Sequence, residues 1–289
     1  MASNLYNKVN SYALERGIEF NSTYPTTSPF IGPRTGTNPL GNWAKNSTGN
    51  IVWEPTVGPL GGAGSWKLQW STTTATNSYV RGTTPYSTEL LGCADDNWSV
   101  GFWFKINNVP PVSSSAAATL LQFNENAGGF TLSVQGNTAV GGKANLTVAK
   151  SAYGTITQLV NGGINTEQWY YFAFTREGTS HKIYLNGTMI FSFGSSGVWN
   201  TSGALMWGDT SARTFNGSWN ISNYYLAPAT VINQTQIQEI WTAGSTNTRT
   251  VKYFDGNNWQ TSSAQKVWNG TAWIDWTAKK YDGTQWITI

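Results

Sequence analysis

From Ser65 onward apolar and polar positions alternate with a period of two. Trp66, Leu68 and Trp70 alternate with Lys67, Gln69 and Ser71, and Trp98, Val100, Phe102 and Phe104 alternate with Ser99, Gly101 and Trp103. Successive side chains of a strand point to opposite faces, so each set predicts a strand with one face in a core. Phe130-Thr131-Leu132-Ser133-Val134, Asn145-Leu146-Thr147-Val148 and Trp169 to Phe174 continue the series. Ile183-Tyr184-Leu185 then reaches Asn186-Gly187 and returns through Met189-Ile190-Phe191, the signature of a tight hairpin. Short strands, Gly and Asn turns and no long helical pattern predict an all-β, antiparallel sandwich.

One segment changes period. Thr235-Gln236-Ile237-Gln238 reads as a capping box with Thr235 as the cap, Ile237, Ile240 and Trp241 form one stripe, and Gly244 is placed to end a helix. A short helix closing the sandwich is expected there. Residues 1–60 show little periodicity and are dense in Asn, Thr, Gly and Pro, with aromatics such as Tyr6, Phe20, Phe30 and Trp53 scattered among them. They read as an extended N-terminal arm lying on a surface. Gly61-Gly62-Ala63-Gly64 marks the seam with the sandwich. The expected organisation is an arm over 1–60, a sandwich over 61–246 and a tail over 247–289.

The tail repeats itself. Lys252-Tyr253-Phe254-Asp255-Gly256-Asn257-Asn258-Trp259 returns as Lys266-Val267-Trp268-Asn269-Gly270-Thr271-Ala272-Trp273 and as Lys280-Tyr281-Asp282-Gly283-Thr284-Gln285-Trp286. Asp-Gly and Asn-Gly tolerate positive φ, so each copy predicts a small β-hairpin. A hairpin this short cannot bury its own face. The tail is therefore expected to be an attachment or recognition module.

Composition narrows the function. Charged residues are 11% of the chain, well below the roughly 25% of an ordinary soluble domain, and aromatics are 14%. This is a β-rich protein with a neutral polar surface. A formal net charge of +3 without a Lys/Arg cluster argues against nucleic acid as a partner. One cysteine, Cys93, excludes an internal disulfide. The Met1-Ala2-Ser3-Asn4-Leu5-Tyr6 start carries no signal-peptide pattern, and no apolar run is long enough to insert into a membrane. A chain made in a cytoplasm with the surface of an external protein fits a phage virion component released by lysis.

Candidate chemistry is sparse. A glycanase needs two carboxylates flanking the scissile bond, yet there are eight Glu and six Asp, and Asp95-Asp96 is the sole adjacent pair. That pair reads as a solvated turn. His181, the single histidine, reads as a surface turn residue, and Cys93 as an inert thiol. No catalytic residue is assigned and no cofactor is implied. The tail aromatics Tyr253, Trp259, Trp268, Trp273, Tyr281 and Trp286 are the candidate ligand- or assembly-binding set. They suit packing between hairpins, docking on a neighbouring subunit, or stacking on sugar rings.

Four segments together resemble laminin-G-like, concanavalin-A-like domains. Asn97-Trp98-Ser99-Val100-Gly101-Phe102-Trp103-Phe104-Lys105 resembles their second core strand, and Trp169 to Arg176 followed by Lys182-Ile183-Tyr184-Leu185-Asn186-Gly187 resembles their hairpin. Phe215 to Tyr225 resembles their final strand, and the Thr235-to-Gly244 segment stands where their closing helix stands. The likeness covers roughly 64–244 and implies a concanavalin-A-like (jelly-roll) sandwich, a fold that hosts lectins, adhesion modules and glycanases. It also implies that Asp209 sits where a rim calcium ligand would, without a companion carboxylate cluster. The tryptophan repeats are similar to tails on phage structural proteins. The expectation is a non-enzymatic phage virion protein, in a capsid decoration or tail-associated role. It would form an oligomer with other virion proteins and display an adhesion domain for host-surface glycans. The alternative is a free carbohydrate-binding lectin.

Overall fold

The computed structural model describes most of residues 51–245, except 55, 60–63, 73–78, 83–96, 109, 111–116, 124–129, 137–142, 151–154, 195–204, 209–214 and 229, together with short strands before and after. The chain divides into one unit over Met1–Asn247 and a second over Thr248–Ile289.

Two antiparallel eight-stranded sheets form the first unit. Sheet A runs, edge to edge, through β14 (Thr188–Gly194), β13 (Ser180–Leu185), β12 (Trp169–Glu177), β7 (Asn97–Ile106), β16 (Gly217–Pro228), β5 (Ser65–Trp70) and β4 (Val52–Glu54), and β1 (Gly17–Ile18) also pairs with β16. Sheet B runs through β11 (Thr155–Asn165), β10 (Lys143–Lys150), β9 (Phe130–Gly136), β8 (Ala118–Phe123), β15 (Leu205–Gly208), β6 (Tyr79–Gly82), β3 (Trp43–Lys45) and β2 (Phe30–Ile31). The period-two segments of the sequence are the strands β5, β7, β9, β10, β12, β13 and β14. Residues 1–60, expected as an arm, contribute β1 to β4; the rest of 1–50 lies outside the described residues.

The inward positions of both sheets make one core. Trp66, Leu68, Trp70, Val100, Phe102, Phe104, Trp219 and Ile221 of sheet A face Leu121, Phe130, Leu132, Val134, Leu146 and Trp207 of sheet B. The layers interlock through aromatic rings: Phe130 stacks on Phe174 at 4.5 Å, and Trp207 meets Tyr224 at 4.1 Å. The Trp70 indole N–H also donates across the gap to the Thr119 carbonyl (3.2 Å). The Asn186-Gly187 turn has φ of 51° and 78°, the two left-handed positions that a two-residue hairpin demands.

The helix α1 (Gln234–Ser245) covers a second apolar cluster on the outer face of sheet A. Ile237 and Ile240 pack over Trp103, Tyr171, Ala173, Tyr184, Tyr225 and Ala227. Burying each isoleucine contributes about 1.5–3 kcal/mol. The strand β7 is therefore buried on both faces, and Trp103, which falls on the polar side of the alternation, lies under the helix rather than in solvent. The cap differs from the sequence reading. Asn233, not Thr235, closes the box: its Oδ1 accepts from the Gln236 N–H (3.0 Å) while Gln236 Oε1 accepts from the Asn233 N–H (3.0 Å). The Asn-x-x-Gln spacing two residues earlier wins because the Asn carboxamide is a better cap than a threonine hydroxyl. Gly244 does not end the helix but lies within its last turn, against the Trp103 ring. Among the described residues no helix is long and apolar enough to cross a membrane.

In the second unit β17 (Lys252–Phe254) pairs with β18 (Trp259–Thr261), β19 (Lys266–Trp268) with β20 (Trp273–Asp275), and β21 (Lys279–Tyr281) with β22 (Trp286–Thr288). Each ribbon closes on an aromatic pair: Phe254 opposite Trp259, Trp268 opposite Trp273, Tyr281 opposite Trp286. Four residues lie between the closing partners, so the Asp-Gly or Asn-Gly step is part of a longer connection than a two-residue turn.

Candidate binding surface

The helix α1 covers only part of the outer face of sheet A. Beyond it, toward β4, the outward positions switch from aromatic to polar. Because Trp66, Trp219 and Phe104 point inward, alternation sends Lys67, Asn220 and Lys105 outward. Pairing aligns these across five strands in one row: Val52 opposite Lys67, Lys67 opposite Asn220, Asn220 opposite Lys105, and Lys105 opposite Trp169.

Asn220 is the fully buried centre of this surface. Its Nδ2 donates to Glu54 Oε2 (2.6 Å) and to Ser65 Oγ (2.9 Å), while its Oδ1 accepts from Asn107 Nδ2 (2.8 Å). Asn107 Nδ2 also donates to Ser218 Oγ (3.1 Å). Nearby, the Ser222 hydroxyl donates to the Gly64 carbonyl and accepts from Asn223 Nδ2, both at 2.6 Å. Linked hydrogen bonds of this kind hold side chains in one geometry.

Charge is balanced in pairs. Lys67 Nζ lies 3.8 Å from Glu54 Oε1, and Lys105 Nζ donates to Glu167 Oε2 at 2.5 Å. Glu167 adopts a left-handed φ of 58° and its N–H donates to the Ile106 carbonyl (2.9 Å). A residue with a Cβ pays about 1–2 kcal/mol for that backbone. The loop is braced by the Tyr170 hydroxyl, which donates to the Gly163 carbonyl (3.1 Å) and accepts from the Asn165 N–H (2.9 Å). The strain thus holds Glu167, itself mostly exposed, beside Lys105 and next to the half-buried Trp169. The result is a largely buried layer of amides and hydroxyls, bordered by neutralised ion pairs and with an indole at one end.

The buried phenols under the helix are a structural counterpart. Tyr171 and Tyr225 share a hydrogen bond of 2.7 Å, and burial raises the Tyr225 phenol well above its ordinary ionisation range. Tyr184 is raised too, chiefly by burial. These groups are neutral packing elements.

The residues nominated from sequence fall elsewhere. Trp259, Trp268, Trp273, Tyr281 and Trp286 stand at the closing pairs of the tail ribbons, and Tyr253 stands one position away, opposite Gln260. Their side chains lie outside the described residues, as do Asp209, Cys93, Asp95 and Asp96. No group of three or more His, Cys, Asp or Glu among the described residues is placed to hold a metal. His181 is not a surface residue. The turn is Gly178-Thr179, so the strand begins at Ser180 and His181 points into the core, stacked on Phe193 at 4.6 Å. Its Nδ1 donates to the Thr179 carbonyl (3.2 Å). The surface around Asn220 escaped the sequence reading because Glu54, Lys67, Asn107, Glu167 and Asn220 meet only through strand pairing. The one signal available was that Lys67 and Lys105 are outward partners of tryptophan-bearing strands.

The family model described as the concanavalin A-like lectin/glucanases superfamily matches residues 74–226, more than half of the chain. Among solved structures, the chain is similar to the binding domain of botulinum neurotoxin DC in complex with rat synaptotagmin II, at 15% identity and a TM-score of 0.58, covering 82% of this chain and 54% of that one. It is also similar to the same toxin's binding domain in complex with SialylT, at 13% identity and a TM-score of 0.55, covering 79% and 50%. A third is botulinum neurotoxin type C, whose cell entry depends on interaction with two ganglioside molecules, at 16% identity and a TM-score of 0.54, covering 81% and 52%. The chain thus spans about half the length of these structures, and the likeness at such identity is one of fold. No curated protein sequence matches it.

Proposed function

The chain belongs to the concanavalin A-like lectin/glucanase superfamily, and from that premise we propose that it is a non-enzymatic adhesion protein whose sandwich binds glycans. The observation that carries the reading is the sandwich itself, two antiparallel eight-stranded sheets whose residues 74–226 match the superfamily. The described carboxylates of its strands and turns, Glu54, Glu167 and Glu177, each lie within 4.0 Å of a lysine. A hydrolase would keep one protonated and one free across the scissile bond. Of the toxin domains with the same fold, that of type DC forms complexes with SialylT and synaptotagmin II, and cell entry of type C depends on two ganglioside molecules, which accords with a recognition role for this architecture.

The reading extends to a phage particle as the carrier. It is supported by the low charge content, the neutral polar surface and the three aromatic-closed ribbons, which suit attachment to a shell or tail. Virion proteins would then be partners of the tail, and host-surface glycans the ligands of the sandwich.

Two measurements test this. An array of neutral and sialylated glycans probed with the whole chain is expected to give saturable binding without release of reducing ends. Turnover of a bound glycan, or silence across the array, overturns the adhesion reading. Immunogold labelling of particles from a host lysate is expected to mark heads or tails at regular positions. Unlabelled particles overturn the virion assignment and leave a free lectin.

A further inference from the structure

We propose that the sandwich locks itself with an isopeptide bond between the Lys67 side chain on β5 and the Asn220 side chain on β16. The inference is independent of what the sandwich binds. It gives a covalent role to an amide that is fully buried.

The groups such a reaction needs stand together. The nucleophile is Lys67, the direct cross-strand partner of Asn220. Directly opposite residues hold their Cβ atoms about 4.5–5.5 Å apart, within the reach of a lysine stem. The electrophile is the Asn220 carboxamide, which is 0% exposed, so bulk water does not compete for it. Glu54 is the acid–base group, because its carboxylate bridges the reactants. Its Oε1 lies 3.8 Å from Lys67 Nζ, and its Oε2 accepts from Asn220 Nδ2 at 2.6 Å. Asn107 Nδ2 donates to Asn220 Oδ1 at 2.8 Å, where negative charge would develop. Ser65 Oγ accepts from the same Nδ2 (2.9 Å) and holds the amide in place. Lys105 also stands opposite Asn220, but its Nζ donates to Glu167, a different carboxylate from the one that holds the amide.

The atoms balance without an added reagent. Glu54 takes one proton from the Lys67 ammonium, and the neutral Nζ attacks Asn220 Cγ. A C–N bond forms, the carbonyl electron pair moves onto Oδ1, and the Asn107 amide stabilises that oxyanion. Glu54 passes its proton to Nδ2, the Cγ–Nδ2 bond breaks, and ammonia leaves. Nζ gives its second proton to Glu54 and keeps one in the new secondary amide. The bond ties β5 to β16, strands that come early and late in the sandwich, so it closes most of that unit into one loop. Such a cross-link restricts the unfolded chain as a disulfide over a long loop does. With Cys93 as the single cysteine, a disulfide within the chain cannot serve that purpose.

Mass spectrometry of the full chain, intact and after digestion, tests the assignment. The expected result is a mass one ammonia below that of the sequence, with a branched peptide in which the Lys67 and Asn220 fragments are joined. Lys67→Arg, at a partly exposed position, is expected to keep the ammonia and leave the two fragments separate. Its Tm is expected to fall by about 10 °C or more. Glu54→Gln is expected to fold, since its carbonyl can still accept from the Asn220 amide, and to leave the fragments separate because it cannot carry the protons. Separate fragments in the wild-type chain after prolonged incubation overturn the proposal. So does an ammonia loss that maps to an Asn-Gly step such as Asn186-Gly187, or a branched peptide that persists in either variant. The glycan array reads the adhesion function separately, so failure of one reading leaves the other standing.

Discussion

Replacing Gly244 by alanine separates helix propensity from packing by the sign of the result. In an exposed helix interior the change stabilises by about 1 kcal/mol, because alanine loses less backbone entropy than glycine. Gly244 is buried in the last turn of α1, directly over Trp103. A Cβ there would lie 2.2 Å from Cζ2 and 2.6 Å from Cε2 of that indole. Carbon atoms pack best about 3.5–4 Å apart, so the overlap exceeds 1 Å against a rigid ring that is itself 2% exposed and flanked by Tyr171 at 5.4 Å. Overpacking costs about 1–3 kcal/mol, and the depth of this overlap places it at the upper end. After the propensity gain the expected net loss is about 2 kcal/mol, a fall in Tm of roughly 4–8 °C for a unit of this size. Thermal unfolding followed by far-ultraviolet circular dichroism reads the change, with exposed Thr235→Ala as control. In a Trp103→Leu background the penalty is expected to shrink, since the clashing ring is gone. A Gly244→Ala protein that melts at or above the parent would refute the packing account of α1.

Four further outcomes follow from particular contacts. Asn233→Ala is expected to cost about 1 kcal/mol through the lost cap, whereas Thr235→Ala stays within about 0.5 kcal/mol; paired urea titrations compare them. Asn186→Ala removes the Oδ1 that accepts from the Tyr171 N–H (2.9 Å) and places a Cβ residue without Asn's tolerance at a φ of 51°. It is expected to cost about 2 kcal/mol by chemical denaturation. Tyr225→Phe and Tyr171→Phe should each cost about 1–3 kcal/mol, because the surviving hydroxyl loses its buried partner, while the double variant should cost less than their sum. Since burial raises the folded-state pKa of Tyr225, the stability it contributes is complete below the unfolded value near 10 and is lost as pH climbs above it. Melting between pH 9 and pH 11.5 is expected to show a decline that Tyr225→Phe flattens, and an unchanged slope would refute the assignment.

Much of the sandwich was legible in the chain itself. The alternations in β5, β7, β9, β10 and β12 and the Asn186-Gly187 turn are local facts, because strand parity and left-handed turn positions depend only on neighbouring residues. The family resemblance read from residues 64–244 corresponds to the superfamily match over 74–226. The short strands β8 and β15 were not legible. In Ala118–Phe123 the adjacent Leu120 and Leu121 break the alternation at an irregular register, and Leu205–Gly208 is too short to show a period.

What only the tertiary structure decided is which faces are covered and which distant residues meet. Trp103 reads as a solvent-side residue until α1 is laid over it, and His181 reads as a turn residue until Gly178-Thr179 takes the turn. Thr235 and Asn233 both offer a plausible cap, and the choice depends on where the chain leaves β16 to dock the helix. The surface around Asn220 draws Glu54, Asn107, Glu167 and Asn220 from well-separated parts of the chain. Sequence determines each strand's two faces through local sterics. Which face is buried, and against what, is a non-local property fixed by the register between strands and by the element that packs on them.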